Sequence, residues 1–441
     1  MTRITIHNIG PIKNVSLELN KINVFIGPQS SGKSTIAKII SYCSWYEKNA
    51  VLHTSKRPDF FEELMVFHNF EPSYFSSDSR IEYETEICKM DFIWNSKDSI
   101  CNVLLGKDKI FKNRKISYIP AERNFVTLPG LGKYNETRDN VMSFMYEWFL
   151  AKNELTERNA FSTPIVGLGN VSFYYDKDSD SDRISINNNC ALKLNHASSG
   201  LRTCIPMLIV FHYIINDIYT TLRTQTPFEI IDIEEKLQFV KNGSDDSKEN
   251  LKESIADLKN QLDELSNLFK YVKYAKKCNL EDKFPPNFNN LLLNMQEQLA
   301  NTIGLYSQYF YSQVIIEEPE LNLFPQTQQE LIYHMFSVLN ETAREHQLVL
   351  TTHSPFILFA INNCMLGGLV KNKIPNEEQS NFASHTAWIN PSLVSIYEIF
   401  DGTIRSIQDE DGIIEDNYLN QAYKENSDEY LTMLNYFEDE E

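Results

Sequence analysis

Two short segments near the start alternate apolar and polar positions, Thr2 to Ile6 and Val15 to Leu19, with the period of half-buried strands. His7-Asn-Ile-Gly-Pro11 between them carries turn residues. Ile22 to Ile26 is instead a continuous apolar run, read as a buried strand, so residues 2–26 predict a β-meander. From Ile36 to Tyr46 the apolar positions return at helical spacing. Residues 47–114 are dense in aromatics, with strand-like stretches at Arg80 to Cys88 and Ile100 to Leu105, and read as part of the same domain. Residues 138–160 predict a helix, Val166 to Tyr175 and Arg183 to Asn187 a strand pair, and Ile205 to Ile218 an apolar helix. Apolar strands recur at Gln313 to Ile316 and Gln347 to Leu350, with a helix over 327–340 between them. A hairpin across Asp401-Gly402 and a last helix over 417–437 complete the series.

One segment departs from this mixed pattern. Leu251, Ile255, Leu258, Leu262 and Leu265 alternate steps of four and three, with Lys and Glu between them. The stretch predicts an inserted antiparallel helical hairpin or short coiled coil, or else an amphipathic helix packed on its own domain. Pro285-Pro286 closes it, and Asn242-Gly-Ser-Asp-Asp-Ser247 reads as a polar tip. The expected organisation is an N-terminal lobe over 1–221, the insert over 222–290 and a C-terminal lobe over 291–441.

The densest chemistry follows the strand at Ile22. Gly27-Pro28-Gln29-Ser30-Ser31-Gly32-Lys33-Ser34 fits G-x-x-x-x-G-K-[ST], and Thr35 opens the helix behind it. Strand, glycine-bounded loop and helix are the context a P-loop requires. Backbone N–H groups of such a loop ring phosphate oxygens, and the helix N-terminus adds partial positive charge. Lys33 is placed to reach the β- and γ-phosphates of a nucleoside triphosphate, and Ser34 to offer its hydroxyl to Mg²⁺.

Three further strand or helix ends carry polar clusters. Glu317-Glu318 ends the strand at Gln313. Beside a P-loop, such a pair can hold Mg²⁺ through Glu317 and polarise water through Glu318. His353 ends the strand at Gln347 and can hydrogen-bond a γ-phosphate. Ala197-Ser198-Ser199-Gly200 precedes the helix at Ile205 and offers N–H groups and a hydroxyl to an anion, or a plain serine cap. After the strand at Ile116, the turn Pro120-Ala-Glu122-Arg123-Asn124 supports two readings, residues facing the nucleotide or a capped turn with a surface salt bridge. The run Asp176 to Asp182 lacks the glycine and terminal glutamate of an EF-hand and reads as a solvated hairpin turn.

Composition narrows the class. Among 441 residues, hydrophobic content is 42% and charged content 23%, ordinary globular values. The net charge of −19 argues against a protein that coats DNA through a broad basic face, though not against a local basic groove. Seven scattered cysteines without a C-x-x-C read as free thiols in a reducing cytoplasm, with no zinc site. The N-terminus alternates like a strand, unlike the apolar core of a signal peptide. The run Ile205 to Ile215, broken by Pro206 and His212, is too short to span a bilayer, so no membrane partner is expected.

Taken in order, the P-loop at 27–34, Ala-Ser-Ser-Gly-Leu-Arg at 197–202, Glu317-Glu318 and His353 resemble the motif series of ATP-binding-cassette head ATPases of the SMC, Rad50, RecF and OLD type. The forms Glu-Glu-Pro-Glu-Leu-x-Leu-x-Pro and Thr-Thr-His-Ser-Pro resemble the OLD-like ATPases, which include subunits of anti-phage systems such as Septu and PARIS. The resemblance implies an α/β fold, an ABC-type P-loop ATPase head with an N-terminal β-meander and an inserted helical or coiled-coil hairpin. It implies a homodimer of ATP-bound heads, with Ser198, Ser199 and Gly200 of one subunit completing the site of the other. Glu318 would be the general base, Glu317 and Ser34 the Mg²⁺ ligands and His353 the γ-phosphate sensor, with Glu122 near the family's Q-loop. A higher oligomer through the insert, a separate nuclease or toxin effector, and bound DNA or RNA are the implied partners. The sequence departs from the family in having Glu317 where aspartate is usual, no Q-loop glutamine, and Ser199 and Leu201 in the signature. The insert lies between signature and Walker B rather than before the signature, which favours an OLD-like over an SMC-like arrangement. The stretch after His353 is short for a TOPRIM nuclease domain. A RecF- or Rad50-like DNA-repair ATPase is the alternative, and a transport ATPase is disfavoured by the insert.

Overall fold

The computed structural model describes residues 2–52, 59–95, 99–106, 111–128, 139–163, 165–187, 190–219 and 309–437. The predicted hairpin at 222–290 and the acidic residues Glu438 to Glu441 lie outside these. The chain divides into two compact units, Met1–Ile215 with Tyr311–Glu441, and Asn216–Phe310. All elements named below belong to the first.

The strands Thr2–Ile9 (β1), Ile12–Leu19 (β2) and Ile22–Ile26 (β3) follow one another as the pattern predicts, but they serve two sheets. β1 and β2 form a hairpin that continues through Phe75–Glu84 (β4), Cys88–Ile93 (β5) and Ile100–Leu105 (β6) into a five-stranded antiparallel sheet. β3 leaves it. All five of its residues are buried, which suits a strand covered on both faces. It joins Arg114–Ile119 (β7), and later Tyr311–Glu317 (β12), Gln347–Thr351 (β13), Val394–Phe400 (β14) and Thr403–Ser406 (β15) in a six-stranded sheet of order β15-β14-β3-β13-β12-β7. Every neighbouring pair there is parallel except β14–β15. Between β7 and β12 in sequence, Phe161–Ser162 (β8), Val171–Asp176 (β9), Ser181–Ile186 (β10) and Cys190–Lys193 (β11) make a small antiparallel sheet. Its β9–β10 turn is the acidic run, a hairpin as the sequence predicts.

The helix Lys33–Leu52 (α1) lies in the core between the two large sheets. Ile36, Ile39, Ile40, Cys43 and Tyr46 pack with Ile4, Ile6, Ile81 and Phe92 of the antiparallel sheet, and with Phe25, Ile315 and Val349 of the parallel one. The helix Ser199–Ile215 (α4) covers the opposite face of β12, after Phe60–His68 (α2) and Asn140–Lys152 (α3) in the chain. The strand's alternation fixes this. Ile315 points to α1, while Ser312 points the other way and donates its hydroxyl to the Ile214 carbonyl at 2.9 Å. α4 is buried along nearly its whole length. The stretch Ser199–Tyr219 is long and apolar enough by composition to cross a membrane, yet 67% of its most apolar 18 residues are buried inside the protein. Pro325–Glu341 (α5) and Pro355–Val370 (α6) follow β12 and β13, and Tyr418–Leu434 (α7) ends the fold. Among the described residues, Cys43, Cys204 and Cys364 are buried thiols outside any disulfide.

Candidate active site

The parallel order β3-β13-β12-β7 sets four chain turns side by side. Phe25 pairs with Thr351, Thr351 with Glu317, and Ile316 with Ile119. The residues that follow these strands therefore leave the sheet along one edge. They are Gly27, Thr352-His353, Glu318 and Pro120. Carboxyl ends of parallel strands are where α/β proteins bind ligands.

The P-loop is held by backbone geometry. Gly27 has φ +154°, and a Cβ there would lie 2.4 Å from the Ile399 carbonyl oxygen. Gly32 has φ +105° and is pressed against Ile12. Ser30 takes the left-handed conformation at φ +58°. Pro28 is half-buried, Gln29, Ser30 and Ser34 are exposed, and Thr35 is buried at the start of α1. Lys33 begins α1, and its ammonium donates to the Gly27 and Pro28 carbonyls at 2.8 and 2.7 Å and lies 3.5 Å from Ser31 Oγ. Burial pulls the Lys33 pKa down to about 8, against the charges of Glu318 and Glu320.

Glu317 and Glu318 diverge. Glu317 ends β12 and is buried. Its Oε2 accepts from the Ala121 N–H at 3.3 Å, and its Oε1 has no hydrogen-bond partner. Glu318 turns into the left-handed region at φ +42°, which aims its half-buried carboxylate away from the strand. Its Oε1 lies 3.7 Å from His353 Nε2. Burial, with Glu317 next, raises the Glu318 carboxyl above its ordinary pKa, while Lys33 and Arg123 oppose the rise. Burial and then Lys33 lower the His353 pKa, favouring the neutral ring. A third acid completes the edge. Glu320 Oε1 accepts from Thr352 Oγ1 at 2.8 Å and from the His353 N–H at 2.7 Å, fixing the histidine's backbone. Glu320 Oε2 and Thr351 Oγ1, like Glu317 Oε1, are buried without a hydrogen-bond partner. Buried acceptors of this kind call for a donor or a cation. Glu317 Oε1 is a hard oxygen of the sort Mg²⁺ takes, so the residues fit that ion.

Ser198, Ser199 and Gly200 form the start of α4. Ser198 Oγ accepts from the Leu201 N–H at 3.4 Å, as a cap does. A Cβ on Gly200 would meet the Asn322 carbonyl oxygen at 2.8 Å, so the helix start is seated against the turn after Glu318. Asn322 Nδ2 donates to Thr203 Oγ1 at 3.3 Å.

At the turn after β7, the structure corrects the reading of Arg123 as one partner of a surface salt bridge. Among the described residues it forms no salt bridge, and it does not face solvent. Its side chain is fully buried and bonds only backbone carbonyls. Glu122 stays exposed at the turn, near enough for its charge to raise the Glu318 pKa.

Tyr418 escapes sequence reading. Its hydroxyl donates to the Gly27 carbonyl at 2.9 Å, and its N–H donates to Glu398 Oε1 at 2.7 Å. Asn417 caps α7 there, and that cap was the readable signal, but nothing in the sequence ties it to a loop 391 positions earlier.

Residues 3–330 match the AAA domain family (AAA_23), and the chain belongs to it. With the geometry above, this makes the chain a P-loop protein of the AAA domain family. Comparison with solved structures finds similarity to the SMC head domain from Thermotoga maritima, at 8% identity and TM-score 0.36, covering 92% of this chain and 98% of that one. It also finds the recombination mediator protein RecF with ATP, at 11% identity and TM-score 0.29, covering 92% and 98%. A comparison with curated proteins gives no match.

Proposed function

We propose that the protein binds and hydrolyses ATP at the edge formed by Gly27 to Thr35, Glu317, Glu318 and His353, and that ATP brings two copies together as a homodimer. The observation that carries this is the placement of Glu318 beside His353 on the strand ends adjoining the P-loop. In this reading Lys33 leaves the loop carbonyls for the β- and γ-phosphates. Glu318 accepts a proton from the attacking water, and the neutral His353 donates to the γ-phosphate. Ser34 and Glu317 would hold Mg²⁺, which would supply charge neutralisation for the triphosphate. Ser198, Ser199 and Gly200 of one subunit complete the site of the other, and Glu122 lines its rim.

The Glu317 to Pro325 and Thr351 to Pro355 runs resemble OLD-like ATPases, which supports a cytoplasmic regulator of a separate nuclease or toxin in anti-phage defence. Steady-state hydrolysis tests the site. Glu318→Gln and Lys33→Ala should each lower kcat by about 10²–10⁴, the worth of a positioned acid–base group or phosphate clamp. Wild-type turnover in Glu318→Gln would remove Glu318 as the base. ATP-dependent, salt-sensitive binding to duplex DNA would move the chain to the RecF- and Rad50-like repair reading.

A further inference from the structure

Arg123 is a fully buried cation whose described hydrogen bonds all end on carbonyls. Nη1 donates to Pro120 O at 3.1 Å and Glu317 O at 2.7 Å, Nη2 to Glu318 O at 2.7 Å, and Nε to Thr203 O at 3.3 Å. These acceptors belong to three elements: the turn after β7, the end of β12 and the N-terminal part of α4. A guanidinium presents its donors in one rigid plane. To serve two consecutive carbonyls from that plane, the chain must turn between them, and it turns at Glu318, with φ +42°. A residue with a side chain rarely holds this conformation unless its surroundings impose it. The Glu318 N–H, bonded to the Thr351 carbonyl at 2.9 Å, fixes the other side of the same residue. The carboxylate's direction therefore follows from backbone atoms that Arg123 grips.

The fourth bond extends the grip to α4. Thr203 sits one turn into the helix that Ser199 and Gly200 begin, and its hydroxyl donates to Ser199 O at 2.9 Å. Asn322, at φ +59°, makes a second bridge from the Glu318 turn to Thr203. A displacement of the α4 start is thus felt at Glu318 by two routes.

We infer that Arg123 is a positioning residue for hydrolysis, setting the aim of Glu318 through its backbone and tying that aim to the N-terminus of α4. The inference rests on the ATPase reading above. It assigns Arg123 no contact with nucleotide.

The test compares wild type, Arg123→Lys, Arg123→Met, Asn322→Ala and the Arg123→Lys/Asn322→Ala double variant, measuring kcat, KM and Tm in the full chain. Lysine keeps the charge but cannot span four carbonyls, so it decides the question if the methionine variant fails to fold. The expected result for folded Arg123→Lys is a kcat lowered about tenfold or more with KM held within about twofold, the signature of an interaction made in the transition state. The double variant should depart from the product of the single effects, since both side chains serve one turn. An unchanged kcat overturns the inference, as does an equal loss through KM, because a structural pin alone would disturb binding and turnover together. Wild-type protein that fails to turn over ATP removes the ATPase reading and the inference with it. Wild-type turnover with an unaltered Arg123→Lys removes only the inference.

Discussion

Gly27 holds φ +154°, a backbone region that residues with a side chain rarely enter, and a Cβ there would lie 2.4 Å from the Ile399 carbonyl oxygen. Gly27→Ala should therefore cost about 1–3 kcal/mol of stability before any nucleotide is considered. A denaturant midpoint equal to wild type would show that the loop can relax. The same scale separates what the sequence discloses from what it hides. Lys33 opens the helix of a recognisable P-loop, and Glu318 and His353 follow recognisable strands, so their types and positions could be read. Arg123 could not be placed, because three of its four partners are carbonyls 80, 194 and 195 positions away and carbonyls leave no mark in a sequence. Tyr418 is hidden for the same reason, its acceptor being the Gly27 carbonyl.

Among elements, hydrophobic pattern carried more than type. β1 and β2 alternate and face one core, whereas β3 is apolar throughout and sits inside the parallel sheet. That contrast was present in the sequence. Which strands became neighbours was not, since β3 lies between β13 and β14, which come more than 300 residues later. The α4–α5 contact carries a pH prediction. His212 and His334 meet at 2.6 Å between their Nε2 atoms, one ring donating and the other accepting. Burial lowers their pKa values to about 3 and about 4, and His334 adds to the lowering of His212. Unfolded histidine binds a proton below about 6.5, while the folded pair does not until far lower pH. Between these values the unfolded chain holds more protons, so stability falls as pH drops from about 6.5 toward about 4. The slope is about 1.4 kcal/mol per pH unit for each histidine that stays neutral. Replacing both by Phe and Leu should flatten the part of the denaturation profile they cause. A double variant with the wild-type slope would assign that slope to other groups.

At the scale of the whole molecule, the proposed ATP site and the α4 start are joined through the Glu318 turn and Arg123. The account makes each site the shared work of two copies, with Lys33 supplied by one and Ser198 to Gly200 by the other. Blocking hydrolysis should then trap the pair. The measurement that tests this most directly is the solution mass of Glu318→Gln with and without ATP and Mg²⁺. The account predicts a monomer that becomes a dimer on adding ATP, and loss of that dimer when Lys33→Ala is combined with it. A Glu318→Gln protein that binds ATP yet keeps the same mass, or a dimer that forms regardless of Lys33, would contradict it.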